Sequence, residues 1–224
     1  MKYLRKIASS NGTDNLSSKF RRKRFRIFQQ YLTKLRLNET RFLDIGGTQI
    51  YWDHINSYFK TNLSPIIVNI EREYITNGIY AGIIGDGKSL SFIKDNTFDL
   101  AYSNSVIEHL TDFEDQYEMA YNIKRVAKHY FIQTPAFIFP FEPHFLFPFF
   151  HWLPISVRVR LVSKFNLGWF NKCNNYDDAK QLVNSIRILK KKELKLLFKD
   201  AHIITERLFF IPKSYTLTNM ISRQ

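Results

Sequence analysis

The sequence predicts an α/β fold: a doubly wound, mostly parallel sheet with helices on both faces. An N-terminal basic helix precedes it, a C-terminal antiparallel hairpin ends it, and an aromatic cap insertion follows the fifth strand. Three observations carry this expectation. Short apolar runs alternate with helical segments from Arg41 onward, which is the pattern of successive βαβ units. A stretch with helical apolar spacing and a dense basic face comes before that alternation. A run crowded with phenylalanine and proline interrupts the alternation before the last helices. At 224 residues and 45% hydrophobic, the chain can bury a full core. The expected organisation is a basic helical extension over 1–40 and a single domain over 41–224, with the cap at 136–185.

The first element is a helix from about Lys19 to Leu37, with Ser17 or Ser18 as its cap. Phe25, Phe28, Leu32 and Leu35 recur at helical spacing and form one apolar stripe. Arg21, Arg22, Lys23, Arg24 and Arg26 form the opposite face, expected to be solvated. Of the formal net charge of +13, the segment Met1–Arg36 supplies +10, from eleven Lys or Arg against one Asp. Charge so localised favours an acidic partner, and peripheral contact with an anionic membrane surface is the partner it suggests most directly. Nucleic acid is disfavoured, because the basic run lacks the aromatic-rich single-strand platform expected of a dedicated binder.

Five buried strands follow: Phe42–Ile45, Ile66–Ile70, Tyr80–Ile84, Phe98–Tyr102 and Tyr130–Gln133. Helical candidates lie between them at Tyr51–Phe59, Ser89–Ile93, Val106–Leu110 and Asp115–Ala127. From Ala136 to Trp169 the chain holds eight Phe and prolines at 140, 143, 148 and 154, after Pro135. Prolines this dense preclude one long helix, and the aromatic side chains are expected to shape an apolar pocket or meet a membrane. Val157–Val162 reads as a short amphipathic helix in the cap. Leu189–Phe198 reads as a helix with a lysine-rich solvated face. His202–Leu208 and Ser214–Thr218 read as a hairpin joined through Ile211, Pro212 and Lys213.

Cys173 is the single cysteine, so neither a disulfide framework nor a cysteine metal cluster is expected, and no metal is assigned. Lys2, Arg5 and Lys6 interrupt the first apolar residues, so no secretory leader is read there, and no run reaches the length of a membrane span. A cytoplasmic location, peripheral to a membrane at most, is the expectation.

In open parallel sheets ligands bind beyond the carboxyl ends of the strands. There the sequence places Asp44-Ile-Gly-Gly-Thr48 after the first strand, where glycines permit a tight turn above a helix N-terminus. Glu71 follows the second strand, 27 residues after Asp44, placed to accept hydrogen bonds from both hydroxyls of a ribose. Gly85-Asp86-Gly87 follows the third, with Asp86 placed to accept from an adenine amino group. The fourth ends in Asn104-Ser-Val-Ile-Glu-His109.

Together these pieces resemble the successive motifs of class I, Rossmann-like S-adenosylmethionine-dependent methyltransferases, especially the type 11 group. The resemblance runs from about Arg41 to Pro135, and Phe98–Leu110 is its most specific part. It implies S-adenosyl-L-methionine as cofactor, with Asp44, Gly46, Gly47 and Thr48 at its methionine end. It likewise implies Glu71 at the ribose, Asp86 and Gly87 at the adenine, and Asn104 and Ser105 beside the sulfonium. Thr48, Gln49 and Ile50 stand where the family carries further small residues. The implied reaction moves a methyl group to a small-molecule, glycan or lipid-linked acceptor. The alternatives are an RNA methyltransferase, or a non-catalytic binding module with the same fold. Should a base be used, His144 in Phe-Glu-Pro-His-Phe145 and His109 are the candidates, with His151 a third, because imidazole titrates near neutral pH.

Overall fold

The computed structural model describes residues 16–34, 42–71 and 78–220. Its centre is a seven-stranded sheet in the order β3-β2-β1-β4-β5-β9-β8. These strands are β1 (Phe42–Ile45), β2 (Ile66–Asn69), β3 (Ala81–Ile84), β4 (Phe98–Asn104), β5 (Ala127–Pro135), β8 (His202–Leu208) and β9 (Ile211–Thr218). The first five pair in parallel, and β9 then joins β5 antiparallel and brings β8 with it as the expected terminal hairpin. The hairpin turns at Phe209 and Phe210, and Ile211–Lys213 already belong to β9.

One sheet face is covered by α1 (Leu16–Lys34) and α2 (Gln49–Phe59). Phe25, Phe28 and Leu32 meet Phe42, Trp52, Tyr102 and Phe131 there in a cluster rich in aromatic rings. Leu35 lies outside the described residues. Helix α1 includes Ser17 and Ser18, so neither serine is its cap. The other face is covered by α3 (Phe113–Val126) and α6 (Lys191–Leu197), which bury Met119, Ile123, Leu194 and Leu197 against Leu43, Ala101 and Ile132. Helix α6 is shorter than the expected Leu189–Phe198 because the Glu193 carboxylate accepts the Lys190 N–H at 2.6 Å and sets the start there.

One expected helix is absent and another is shortened. Ser89–Ile93 is a pair of turns, because the Arg125 guanidinium donates to the carbonyl oxygens of Leu90 and Ile93 at 2.7 Å each, atoms a helix would use internally. Val106–Leu110 shortens to a single 3₁₀ turn at Ile107–His109. There the Gln116 amide donates to Ile107 O and the Arg187 N–H donates to Glu108 O.

The cap leaves the sheet after β5. It holds a two-stranded ribbon of β6 (Phe141–Glu142) and β7 (Phe147–Pro148), then α4 (Ile155–Lys164) and α5 (Tyr176–Asn184). It has its own small core, in which Phe145, Phe150, Val159, Val162, Ala179 and Val183 are buried together. No helix among the described residues is long and apolar enough to cross a membrane.

Candidate active site

Parallel pairing brings the ends of β1, β2, β3 and β4 to one edge, and the residues singled out in the sequence stand along it. Gly46 takes a left-handed conformation (φ 75°), and its N–H donates to Val68 O at 2.7 Å. Thr48 is the N-cap of α2, its hydroxyl accepting the Tyr51 N–H at 3.2 Å. The Asn69 amide ties β2 to this loop by donating to Gly47 O at 3.1 Å.

Asp44 lies beneath the loop, buried, with its carboxylate accepting Trp52 Nε1–H at 2.6 Å. A Cβ on Gly47 would fall 1.7 Å from Asp44 Oδ2, so only glycine lets the loop settle onto this carboxylate. Burial pushes the Asp44 carboxyl up to about 7, against the lowering effect of the Trp52 bond. Glu71 is exposed just past β2. Asp86, in the turn after β3, accepts the Lys88 N–H on Oδ1 at 3.0 Å, and Gly87 packs over Ile45. Ile70 and Ile84 lie exposed beside these carboxylates. Two acceptor carboxylates next to uncovered apolar side chains suit a ribose and a flat heterocycle, so the donor set fits the adenosyl part of the implied cofactor.

Asn104 and Ser105 end β4 and open onto a cavity of about 660 Å³ beneath the cap. Its walls include Phe139, Phe141, Leu146, Trp169 and Phe209, and His144 and His151 also line it. A second wall was not foreseen. Arg24 turns inward from α1, and its Nη1 donates to Asn104 Oδ1 at 2.5 Å and to Gln133 Oε1 at 3.1 Å. Its Nη2 meets Glu206 Oε2 at 3.2 Å, with only 11% of the side chain exposed. Arg24 is therefore not on a solvated face, in contrast to the sequence expectation. It neighbours Phe25 and Phe28 on the helix wheel, a signal that could have found it. Arg21 and Lys213 line the same end of the cavity. Burial lowers the Lys213 pKa; Glu206 opposes this, while Arg24 and Arg21 add to it. Among the described lining residues three are Lys or Arg and none is acidic.

The two leading histidines come together. His109 and His144 meet edge to face with ring centroids 4.7 Å apart. Glu142, unremarked in the sequence although two residues from His144, accepts from His144 Nδ1 at 2.6 Å and from the backbone N–H groups of His144 and Phe145. Burial lowers the His109 pKa to about 4, with His144 adding to the effect. Burial also works against a charged His144, but Glu142 and Glu108 outweigh it and raise its pKa. His151 instead uses Nε2 on Phe137 O at 2.7 Å, holding the cap's own turn. The structure thus gathers Asn104, Ser105 and His144 at the cavity. Asp44, Gly46, Gly47, Thr48, Glu71, Asp86 and Gly87 lie along the sheet edge.

Residues 43–130 match the model of a family described as a methyltransferase domain. This segment belongs to the methyltransferase-domain family. S-adenosylmethionine is the cofactor that family uses. Two Mycobacterium tuberculosis proteins, the uncharacterized proteins MT1557 and Rv1509, are each 31% identical over 72 residues, which is 32% of this chain. The match spans 25% of the length of those relatives. A SAM-dependent methyltransferase from Archaeoglobus fulgidus has a similar fold, with TM-score 0.51 and 15% identity over 87% of this chain and 97% of its own. A SAM-dependent methyltransferase from Methanosarcina mazei gives TM-score 0.48 and 14% identity, covering 86% of this chain and 95% of its own. The matched segment ends within β5, so the cap and the hairpin, which build most of the cavity, lie outside it.

Proposed function

We propose that this chain transfers the methyl group of S-adenosylmethionine to an acceptor with an apolar body and an acidic group, of small-molecule, glycan or lipid-linked kind. The observation that carries the reading is the cavity opening from Asn104 and Ser105: aromatic along its length and cationic at one end. The cofactor supplies an activated methyl group, so the protein's work is mainly alignment and exclusion of water. Gly46, Gly47 and Thr48 would hold the methionine end, with Asp44 fixing the loop beneath them. Glu71 and Asp86 would hold ribose and adenine. Arg24, by gripping Asn104 and Gln133, positions the floor between cofactor and acceptor. Arg24 and Lys213 both pair with Glu206, and Arg21 and Arg24 both repel Lys213, so an acidic acceptor group relieves this repulsion. Peripheral membrane contact belongs to the same proposal, since Phe209 and Phe210 at the hairpin tip stand almost fully exposed beside the cavity.

Calorimetric titration with S-adenosylmethionine and S-adenosylhomocysteine tests the reading. Saturable binding is expected, weakened by about 1–3 kcal/mol in Glu71→Ala or Asp86→Ala through lost charge-assisted hydrogen bonds. A folded protein that binds neither compound would overturn it in favour of a non-catalytic module.

A further inference from the structure

Beside the cavity lies a second group of side chains. Glu108 and His109 sit in the 3₁₀ turn after β4, and His144 reaches them from between the two strands of the cap ribbon. One ligand-competent atom from each lies within 4.8 Å of the others. Glu108 is completely buried; its Oε2 accepts from Thr134 Oγ1 at 3.0 Å, while its Oε1 has no hydrogen-bond partner. A buried carboxylate oxygen left without a partner is costly and calls for a cation or a donor.

His144 is held in the manner of a metal ligand. Its Nδ1 side is engaged by Glu142, itself buried and fixed by two backbone N–H groups, so Nε2 remains with its lone pair available. A carboxylate behind an imidazole orients the ring and raises its basicity toward a metal. Two imidazoles and one carboxylate on one side of a site, with the remaining positions open, match the preferences of Zn²⁺, Mn²⁺ or Fe²⁺. No thiolate is present to select a softer ion, and the donor set is too rich in nitrogen for Ca²⁺ or Mg²⁺.

We propose that Glu108, His109 and His144 bind one divalent transition-metal ion, with Glu142 as the positioning residue behind His144. His144 lines the cavity, so open coordination positions face it, and water or a ligand oxygen there completes the shell. As ligands, both imidazoles act through the ion and not as free bases. The inference stands on these four residues alone and is independent of the cofactor reading.

The test uses the full chain, stripped with chelator and titrated with Mn²⁺, Zn²⁺ and Co²⁺ in separate runs. One equivalent of saturable binding is expected, and His144→Ala or Glu108→Gln should weaken it at least tenfold. Glu142→Gln should weaken it about 10–100-fold, as loss of an orienting carboxylate does. On wild-type protein, imidazole ¹⁵N resonances of His109 and His144 should shift on adding Zn²⁺ while those of His202 do not, which keeps the test valid should a variant fail to fold. Absence of saturable binding by folded wild type, or equal binding in His109→Ala/His144→Ala, would overturn the site. Cofactor binding measured on the same sample reports separately on the methyltransferase reading.

Discussion

Asp44 shows how much one buried carboxyl can control. In the unfolded chain it ionises near its ordinary 3.8, whereas in the folded protein it holds its proton to about 7. Between those values only the unfolded state has released the proton, so this group's contribution is fully favourable below about pH 4 and is lost as pH rises toward 7. Asp44→Asn keeps a hydrogen-bond acceptor for Trp52 and removes the ionisation. The urea midpoint of the variant relative to wild type should therefore climb between pH 4 and 7; a constant difference would contradict the assignment. Gly168 makes a second prediction. It adopts φ 53°, and a Cβ there would fall 2.1 Å from His144 O, where Trp169 N–H also bonds at 3.1 Å. Gly168→Ala should displace the His144 segment and lower methyl transfer at least tenfold while cofactor affinity, read by calorimetry, stays unchanged. At this scale the sequence was legible in position: Glu71, Asp86 and Asn104 stand at or just past strand ends, as expected. It was silent on the meeting of Arg24 with Gln133 and Glu206, which depends on contacts 109 and 182 residues apart in the chain.

Among the elements, α1 has two roles that its composition conceals. Its stripe packs Phe28 onto Phe42, Tyr102 and Phe131 with ring centroids 5.8, 5.1 and 5.0 Å away, inside the core of one sheet face. Phe28→Ala should cost about 3–5 kcal/mol of stability in denaturant titration, as truncation of a buried aromatic does. One turn earlier, Arg24 enters the cavity. Arg24→Gln should leave cofactor affinity nearly intact and raise the KM of an acidic acceptor more than it lowers kcat; an unchanged KM would remove Arg24 from acceptor recognition. The strands were readable because each is a short apolar run between turn residues. Ser89–Ile93, which forms no helix, and Val106–Leu110, which forms only a 3₁₀ turn, had suitable local composition. Their carbonyl oxygens are taken by Arg125, Gln116 and Arg187, partners distant in sequence that no local pattern exposes.

Across the whole molecule, the exposed side chains Phe209 and Phe210, at 87% and 92%, project from the hairpin beside the cavity. Lys19, Lys23 and Arg26 on α1 add exposed positive charge. Cosedimentation with vesicles of anionic lipid should retain the wild type, release it as salt rises, and lose Phe209→Asp/Phe210→Asp. Retention of the double variant would remove the hairpin from membrane contact.

The cap has a core of its own, yet both of its roots are fastened to the sheet. The Ala136 N–H donates to Lys213 O at 3.0 Å, and the Arg187 N–H donates to Glu108 O at 2.7 Å. Gln116, fully buried, braces the second root by donating to Ile107 O and Arg187 O and accepting from Arg187 Nη1. A flap pinned at both hinges can rock but cannot swing away, so its excursions leave the chain next to Glu108 in register. Hydrogen exchange would record this as two slow amides, at 136 and 187, enclosing a faster span. On the proposed methyltransferase reading, that rocking would set the tempo of product escape.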